Sequence, residues 1–170
     1  MKVKEIMTAN PKACTTTTNL AEAASFMWDY NCGILPVVAD GGRIVGLITD
    51  RDMCIGGATK NRNLSNIAVE EIMTGNVYSC APEDDVRKAL ETMQQRKVRR
   101  LPVVAPDGTL EGLLSINDIT LNAKETTDKK VPEISFREVV QTYKAICAHS
   151  LPAEQASKSM TATATAVSSE

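Results

Sequence analysis

Hydrophobic positions along the chain switch between helical and strand periodicity, and this switching places the elements. The stretch LAEAASFMWDY has apolar residues at helical spacing, and Asn19 with Glu22 forms an N-terminal capping signal just before it. ILPVV and RIVGLIT predict the strands of a hairpin around the turn ADGG, and a second helix is predicted from Asp50 to Gly56 and Gly57. The residues predicted for the buried face of the first helix are Leu20, Ala23, Ala24, Met27 and Trp28.

This succession of elements occurs twice. Sliding the sequence by 66 residues aligns 3–54 with 69–120 without a gap and gives 18 identities in 52 positions. With a short extended piece near Lys12 to Thr15, each copy predicts β-α-β-β-α, the second copy's helices starting near Asp84 and at Ile116. A repeat that cannot bury its apolar face alone buries it against its copy. We therefore predict an α+β pair with pseudo-two-fold symmetry, with repeats at 1–58 and 68–123 and a connector at 59–67.

A further helix is predicted within 131–150, after the second copy. Ser135 and Glu138 form a capping box at its start. One face of this helix is apolar and must be buried against another element. The final stretch, 151–170, is rich in Ala, Ser and Thr, and we expect it to be flexible. The apolar face comprises Val139, Val140, Tyr143, Ile146 and Cys147.

Composition and motifs narrow the classes of function. The formal charge of -2 and the pI of about 5.5 argue against nucleic-acid or anionic-membrane partners, and no apolar run approaches the roughly 18 residues of a membrane span. Because the N-terminal stretch lacks the apolar core of a secretory signal, we also expect a cytoplasmic protein. The cysteines form no Cys-x-x-Cys pair and His149 has no ligand at metal spacing, so we predict reduced thiols and no metal site. No nucleophile stands beside a histidine and no Walker loop is present, so we predict that the protein is not an enzyme.

IMT, a helix, LPVV, a Gly turn and GLIT-x-x-D recur at one spacing, and in this the chain resembles a tandem pair of CBS domains, called a Bateman module. The resemblance covers 3–123. It implies two units packed sheet to sheet, with two clefts that in the family often take adenosine-containing ligands: AMP, ADP, ATP or S-adenosylmethionine. It also implies that two modules pair into a homodimer.

Two interpretations apply to Thr49 with Asp52 and to Ser115 with Asp118. Each pair is close to a capping box for the helix that follows. The resemblance implies that each pair also binds the ribose of a ligand as a ribose clamp, because a carboxylate can accept hydrogen bonds from two adjacent sugar hydroxyls. Both roles can coexist.

Basic residues before the second LPVV strand are candidates for binding phosphate. The resemblance selects Arg99 and Arg100, whereas the first copy has Gly33 and Ile34 there and offers Arg51 instead. The sequence does not decide which cleft holds a polyphosphate. Family position suggests an adenine pocket made of Ala13, Cys14, Ile34, Pro36, Ser79, Cys80 and Pro102.

The leading prediction is a regulatory module that binds an adenosine ligand between its repeats and signals to a partner protein. The alternative is a structural or dimerisation module that binds no nucleotide. A nucleic-acid module using the patch at 96–100 is weaker still, since exposed aromatic residues are not interleaved with its charges. No cofactor is required by either of the two main readings.

Overall fold

The structure is a computed structural model that describes residues 1–125 and 133–148. His149 and the predicted tail at 151–170 lie outside these residues. The helices are α1 (Leu20–Asp29), α2 (Asp50–Lys60), α3 (Val86–Arg96), α4 (Ile116–Asn122) and α5 (Phe136–Cys147). The strands are β1 (Thr8–Ala9), β2 (Cys14–Thr15), β3 (Ile34–Val38), β4 (Ile44–Thr49), β5 (Arg100–Val104) and β6 (Leu110–Ser115).

Two three-stranded sheets carry the two repeats, in the orders β2-β3-β4 and β1-β6-β5. Each has an antiparallel hairpin at its centre, with Leu35 opposite Ile48 in the first and Leu101 opposite Leu114 in the second. The two hairpin turns meet, since the amide of Ile44 donates to the carbonyl of Gly108 at 3.1 Å. The predicted α+β pair with a C-terminal helix is confirmed.

The repeats are intertwined at their N-terminal segments. Strand β1, at the start of the first copy, pairs with β6 of the second copy. The matching residue of the second copy, Thr74, exchanges two backbone hydrogen bonds with Leu47 of β4. Val3 is accordingly buried in the core of the second copy, and Ile67 and Val69 in that of the first. Each copy thus completes the core of the other, as expected for units that cannot bury their apolar faces alone.

Helix α2 does not stop at Gly56 and Gly57 as predicted, but continues to Lys60. A Cβ at Gly56 would lie 2.3 Å from a side-chain carbon of Ile72, and one at Gly57 would lie 2.6 Å from Leu64. The two glycines therefore allow neighbouring side chains to pack against the helix rather than ending it. The left-handed residue that ends α2 is Asn61, at φ 48°.

The prediction that Trp28 is a core residue is wrong. Met27 is buried in the first core, but Trp28, one position later on α1, is 86% exposed. Successive residues of a helix point about 100° apart, so the two cannot share one narrow buried face.

Helix α5 packs on α3 and α4 of the second copy. Its predicted capping box forms, with the Glu138 amide donating to Oγ of Ser135 at 3.2 Å. The buried face runs through Val139, Thr142 and Ile146. The predicted apolar stripe is therefore partly wrong, because Val140 and Cys147 are exposed.

Candidate functional site: the cleft of the second copy

The capping interpretation of both Ser/Thr-x-x-Asp pairs is confirmed. At the start of α4, Oδ2 of Asp118 accepts from the amide and the hydroxyl of Ser115 at 2.8 and 2.6 Å. At the start of α2, Oδ2 of Asp52 accepts from the same groups of Thr49 at 3.0 and 2.7 Å. In each aspartate the other oxygen, Oδ1, has no hydrogen-bond partner among the described residues. Capping thus occupies one oxygen and leaves the second able to accept from a ligand.

A cavity of about 120 Å³ opens beside the cap of α4. Two arginines reach it from the start of β5: Arg99 precedes this strand and Arg100 is its first residue. The residues at 115–117 reach it from the end of β6 and the start of α4. Within the described part of the chain, neither guanidinium makes an ion pair or a side-chain hydrogen bond. Two uncompensated positive charges beside a hydroxyl form a site suited to an anion. The lining residues are Arg99, Arg100, Ser115, Ile116, Asn117 and Tyr143.

Three of these lining residues were not among the sequence candidates. Ile116 and Asn117 follow Ser115 directly, so proximity to a predicted site residue was the available signal. Tyr143 comes from α5, and the hydroxyl of Tyr143 lies 3.3 Å from Oδ1 of Asn117. No spacing in the sequence connects positions 117 and 143, so only the packing of α5 reveals this contact.

The other two basic residues of the 96–100 patch are engaged elsewhere. The guanidinium of Arg96 lies 4.7 Å from the ring centre of Tyr78 in a cation–π contact. Lys97 adopts a left-handed conformation and donates to the carbonyl of Ala148, at the end of α5. Neither side chain lines the cavity.

The corresponding place in the first copy lacks both strand arginines and has an acidic residue, Asp50, beside Arg51. Gly33 stands where the second copy has Arg99, and Asp50 stands where it has Ile116. Oδ2 of Asp50 comes within 3.0 Å of the Cβ position that Gly33 lacks. Arg51 is exposed, and its amide donates to Asp50 at 2.7 Å. A carboxylate therefore lies in the first copy beside the position from which Arg99 extends in the second, and the same Asp50 lines a cavity beside α1 and α2.

The candidate adenine residues differ in their surroundings. Cys14 and Cys80 belong to the two cores, and burial raises the pKa of their thiols to about 11 and about 12. They are therefore neutral, apolar packing residues at physiological pH. The remaining candidates differ in burial. The strand residues Pro36, Pro102 and Ile34 are buried, whereas Ala13 is half-buried and Ser79 is exposed.

Two further features of the described residues bear on the class of site. Within residues 1–125 and 133–148, no three His, Cys, Asp or Glu side chains are grouped so that they could hold a metal ion. Among the helices of the same residues, none has the length and apolarity that a membrane crossing needs.

The chain is similar to proteins of one family in sequence and in structure. The CBS domain profile matches residues 3–55 and 69–124. The uncharacterized protein YlbB of Bacillus subtilis is 37% identical over 123 residues, which cover 71% of this chain and 81% of YlbB.

Solved structures of CBS domain pairs show the same fold. The CBS domain pair of protein MJ0100, in complex with 5'-methylthioadenosine and S-adenosyl-L-methionine, superposes with a TM-score of 0.64 at 27% identity, covering 71% of this chain and 98% of that one. CBSX2 in complex with AMP superposes with a TM-score of 0.62 at 25% identity, covering 71% and 93%. The duplicated sequence, the intertwined sheets and these matches agree. The chain contains a tandem pair of CBS domains and belongs to the family of CBS domain proteins.

Proposed function

We propose that this protein is a regulatory module that binds a phosphorylated adenosine ligand, such as AMP, ADP or ATP, in the cleft of its second copy. Arg99 and Arg100 hold the phosphate, and Asp118 accepts from the ribose hydroxyls through Oδ1. Ser115, which caps α4, also faces the phosphate. The observation that carries the proposal is the cavity in which two unpaired guanidiniums and a hydroxyl converge. Charge-assisted hydrogen bonds of this kind are worth about 1.5–3 kcal/mol each.

The first cleft takes a different ligand in this proposal. Thr49 and Asp52 offer the same ribose clamp, but Asp50 repels a phosphate and only the exposed Arg51 attracts one. An adenosine compound without phosphate, such as S-adenosylmethionine, suits this cleft better. The adenine ring would lie against the apolar strand residues Ile34 and Pro36 in one cleft and Pro102 in the other.

Signalling to another protein follows from the same arrangement. A ligand that binds one relative placement of the repeats more tightly shifts the protein toward it, and a partner in the cytoplasm senses the shift. The module itself carries out no reaction in this proposal.

We also propose that two modules associate as a homodimer through the first copy. Its helices leave an open apolar face around Trp28, Ile55 and Leu64, which are 86%, 50% and 37% exposed. A cavity of about 350 Å³ lies in this face, lined mainly by apolar residues of α1 and α2. Exposed apolar surface of this kind favours association, and a two-fold pair is the commonest form.

Calorimetric titration of the purified protein with AMP, ADP, ATP, adenosine and S-adenosylmethionine tests the proposal. Saturable binding of at least one phosphorylated ligand supports it. The variant Asp118→Asn keeps one oxygen for the cap of α4 and replaces the other acceptor with a donor, so its affinity should fall about tenfold. Asp52→Asn makes the same change in the first copy and should leave phosphorylated-ligand binding unchanged. Absence of binding across the panel at millimolar ligand would favour the structural module instead.

A further inference from the structure

Helix α5 contributes a side chain to the cleft from outside the two CBS domains. Tyr143 lines the same cavity as Arg99, Arg100 and Ser115, although the family match ends at residue 124. We propose that Tyr143 is a ligand-binding residue whose hydroxyl donates to the anionic group held by Arg99 and Arg100, so that occupancy of the cleft tightens the docking of α5. The inference rests on the proposed function and names the element that responds to the ligand.

The hydroxyl of Tyr143 makes only a long hydrogen bond in the structure, so exchanging it for a bond to a ligand costs little free energy. Its contact with Oδ1 of Asn117 is 3.3 Å long, whereas hydroxyl hydrogen bonds in proteins are usually about 2.5–3.0 Å. Hydrogen bonds to an ionised acceptor are shorter and about twice as strong as neutral ones. An anion in the cavity therefore competes effectively for this donor.

The size of the cavity indicates which part of the ligand it receives. Its volume of about 120 Å³ compares with about 30 Å³ for one water molecule in the liquid. Sites for whole ligands usually measure about 300–1,000 Å³. The space suits a phosphate group, and the nucleoside would lie outside it, on the side of Asp118.

The position of Tyr143 is set by contacts that are independent of the cleft. Nε of Arg87 donates to Glu138 at 2.8 Å, and Nε2 of Gln94 donates to the hydroxyl of Thr142 at 2.7 Å. Val139 and Ile146 are buried in the second core. Since α5 is held on α3 and α4, a bond from Tyr143 to the ligand adds to the free energy that docks the helix. By linkage, docking of α5 must in turn strengthen binding by the same factor.

The test compares AMP with adenosine in the variant Tyr143→Phe, which keeps the ring and removes the hydroxyl. By calorimetry, AMP affinity should fall about fivefold to tenfold and adenosine affinity should not change, because only AMP carries the phosphate. Tyr30→Phe is the matched control, since Tyr30 is exposed on the first copy, and it should bind AMP as the unaltered protein does. In hydrogen exchange, AMP should slow the amides of 136–147 more in the unaltered protein than in Tyr143→Phe.

Each other outcome overturns the inference in a recognisable way. Equal AMP affinity with and without the hydroxyl excludes Tyr143 as a binding residue while the proposed function stands. An equal loss for AMP and adenosine means that Tyr143 only supports the shape of the cleft. If the unaltered protein binds none of the adenosine ligands, the proposed function itself fails.

Discussion

At the residue scale, one aspartate in each repeat caps a helix with one oxygen and keeps the other available for the proposed ligand. Oδ2 of Asp118 completes the cap of α4 by accepting from Ser115, while Oδ1 stays open. Asp52 and Thr49 repeat this geometry at α2. The cap therefore does not prevent the same carboxylate from taking the proposed role in ligand binding. A substitution that removes the whole carboxyl group would mix the two effects, whereas Asp118→Asn separates them.

The glycine that precedes each of these pairs has a structural explanation. A Cβ at Gly112 would lie 2.4 Å from Sδ of Met7 and 3.1 Å from the carbonyl oxygen of Thr8. At Gly46 the corresponding distances are 2.7 Å to Met73 and 3.2 Å to Thr74. The N-terminal segment of each repeat crosses over the glycine of the other, so close backbone approach accounts for both glycines without a ligand.

Substituting these glycines should destabilise the protein. Gly112→Ala and Gly46→Ala should each lower the free energy of unfolding by about 1–3 kcal/mol, because the methionine and the crossing backbone must both shift. Urea unfolding followed by circular dichroism measures the change. Gly75→Ala is the control, since a Cβ there meets nothing within 4 Å, and its stability should stay within about 1 kcal/mol. Full stability of Gly112→Ala would mean that the crossing segment is loosely held.

At the element scale, the sequence predicts best those helix ends that are set by residues close together in the chain. The cap at Asn19 forms as expected, with Oδ1 accepting from the amide of Glu22 at 3.0 Å. The predicted end of α2 is wrong because Gly56 makes room for the side chain of Ile72, a residue of the other copy, and does not end the helix. The contribution of Tyr143 to the cleft was missed for the same reason, because it depends on where α5 docks. Local chemistry sets element type, and tertiary packing decides which glycine ends a helix and which side chain enters a site.

The docking of α5 should depend on pH through Glu138. Burial opposes ionisation of this carboxyl, but the amide and hydroxyl of Ser135 and the guanidinium of Arg87 outweigh it and lower the pKa. A carboxyl whose pKa is lowered by folding stabilises the folded protein above its unfolded pKa of about 4.3, and this contribution is lost as the pH falls through the folded value. Stability should therefore decrease below about pH 5.

The variant Glu138→Gln isolates this contribution. Glutamine can still complete the capping box with Ser135, but it does not titrate and forms no ion pair with Arg87. Thermal unfolding from pH 7 to pH 3 should show a stability gap between the two proteins at neutral pH, and this gap should close in acid. A gap that stays constant with pH would assign the stabilisation to hydrogen bonding alone. Other carboxyls with lowered pKa, such as Glu71 and Glu83, titrate in both proteins and cancel in the difference.

At the scale of the whole molecule, the gapless repeat predicted the paired fold but could not predict how its halves differ. Helix α5 covers α3 and α4 of the second copy. In the first copy the short 3-10 helix Leu64–Asn66 packs against α1, and no described α-helix takes the place of α5. The sequence predicts Trp28 in the core from its helical spacing with the other apolar residues of α1. In the proposed homodimer a second molecule would cover this surface, and the pattern of apolar residues does not say which molecule covers them.

The open face of the first copy should hold two molecules together. Trp28→Lys places a charge on a surface that association would bury, so sedimentation velocity should find a dimer for the unaltered protein and a monomer for the variant. Leu121→Lys is the matched control, because Leu121 is the counterpart of Ile55 in the second copy and is 84% exposed. It should leave the dimer intact. Trp28 is the only tryptophan in the chain, so its fluorescence should shift to shorter wavelength as the protein concentration rises through the dissociation constant. A dimer that survives Trp28→Lys, or an emission spectrum independent of concentration while the dimer forms, would place the contact on another face.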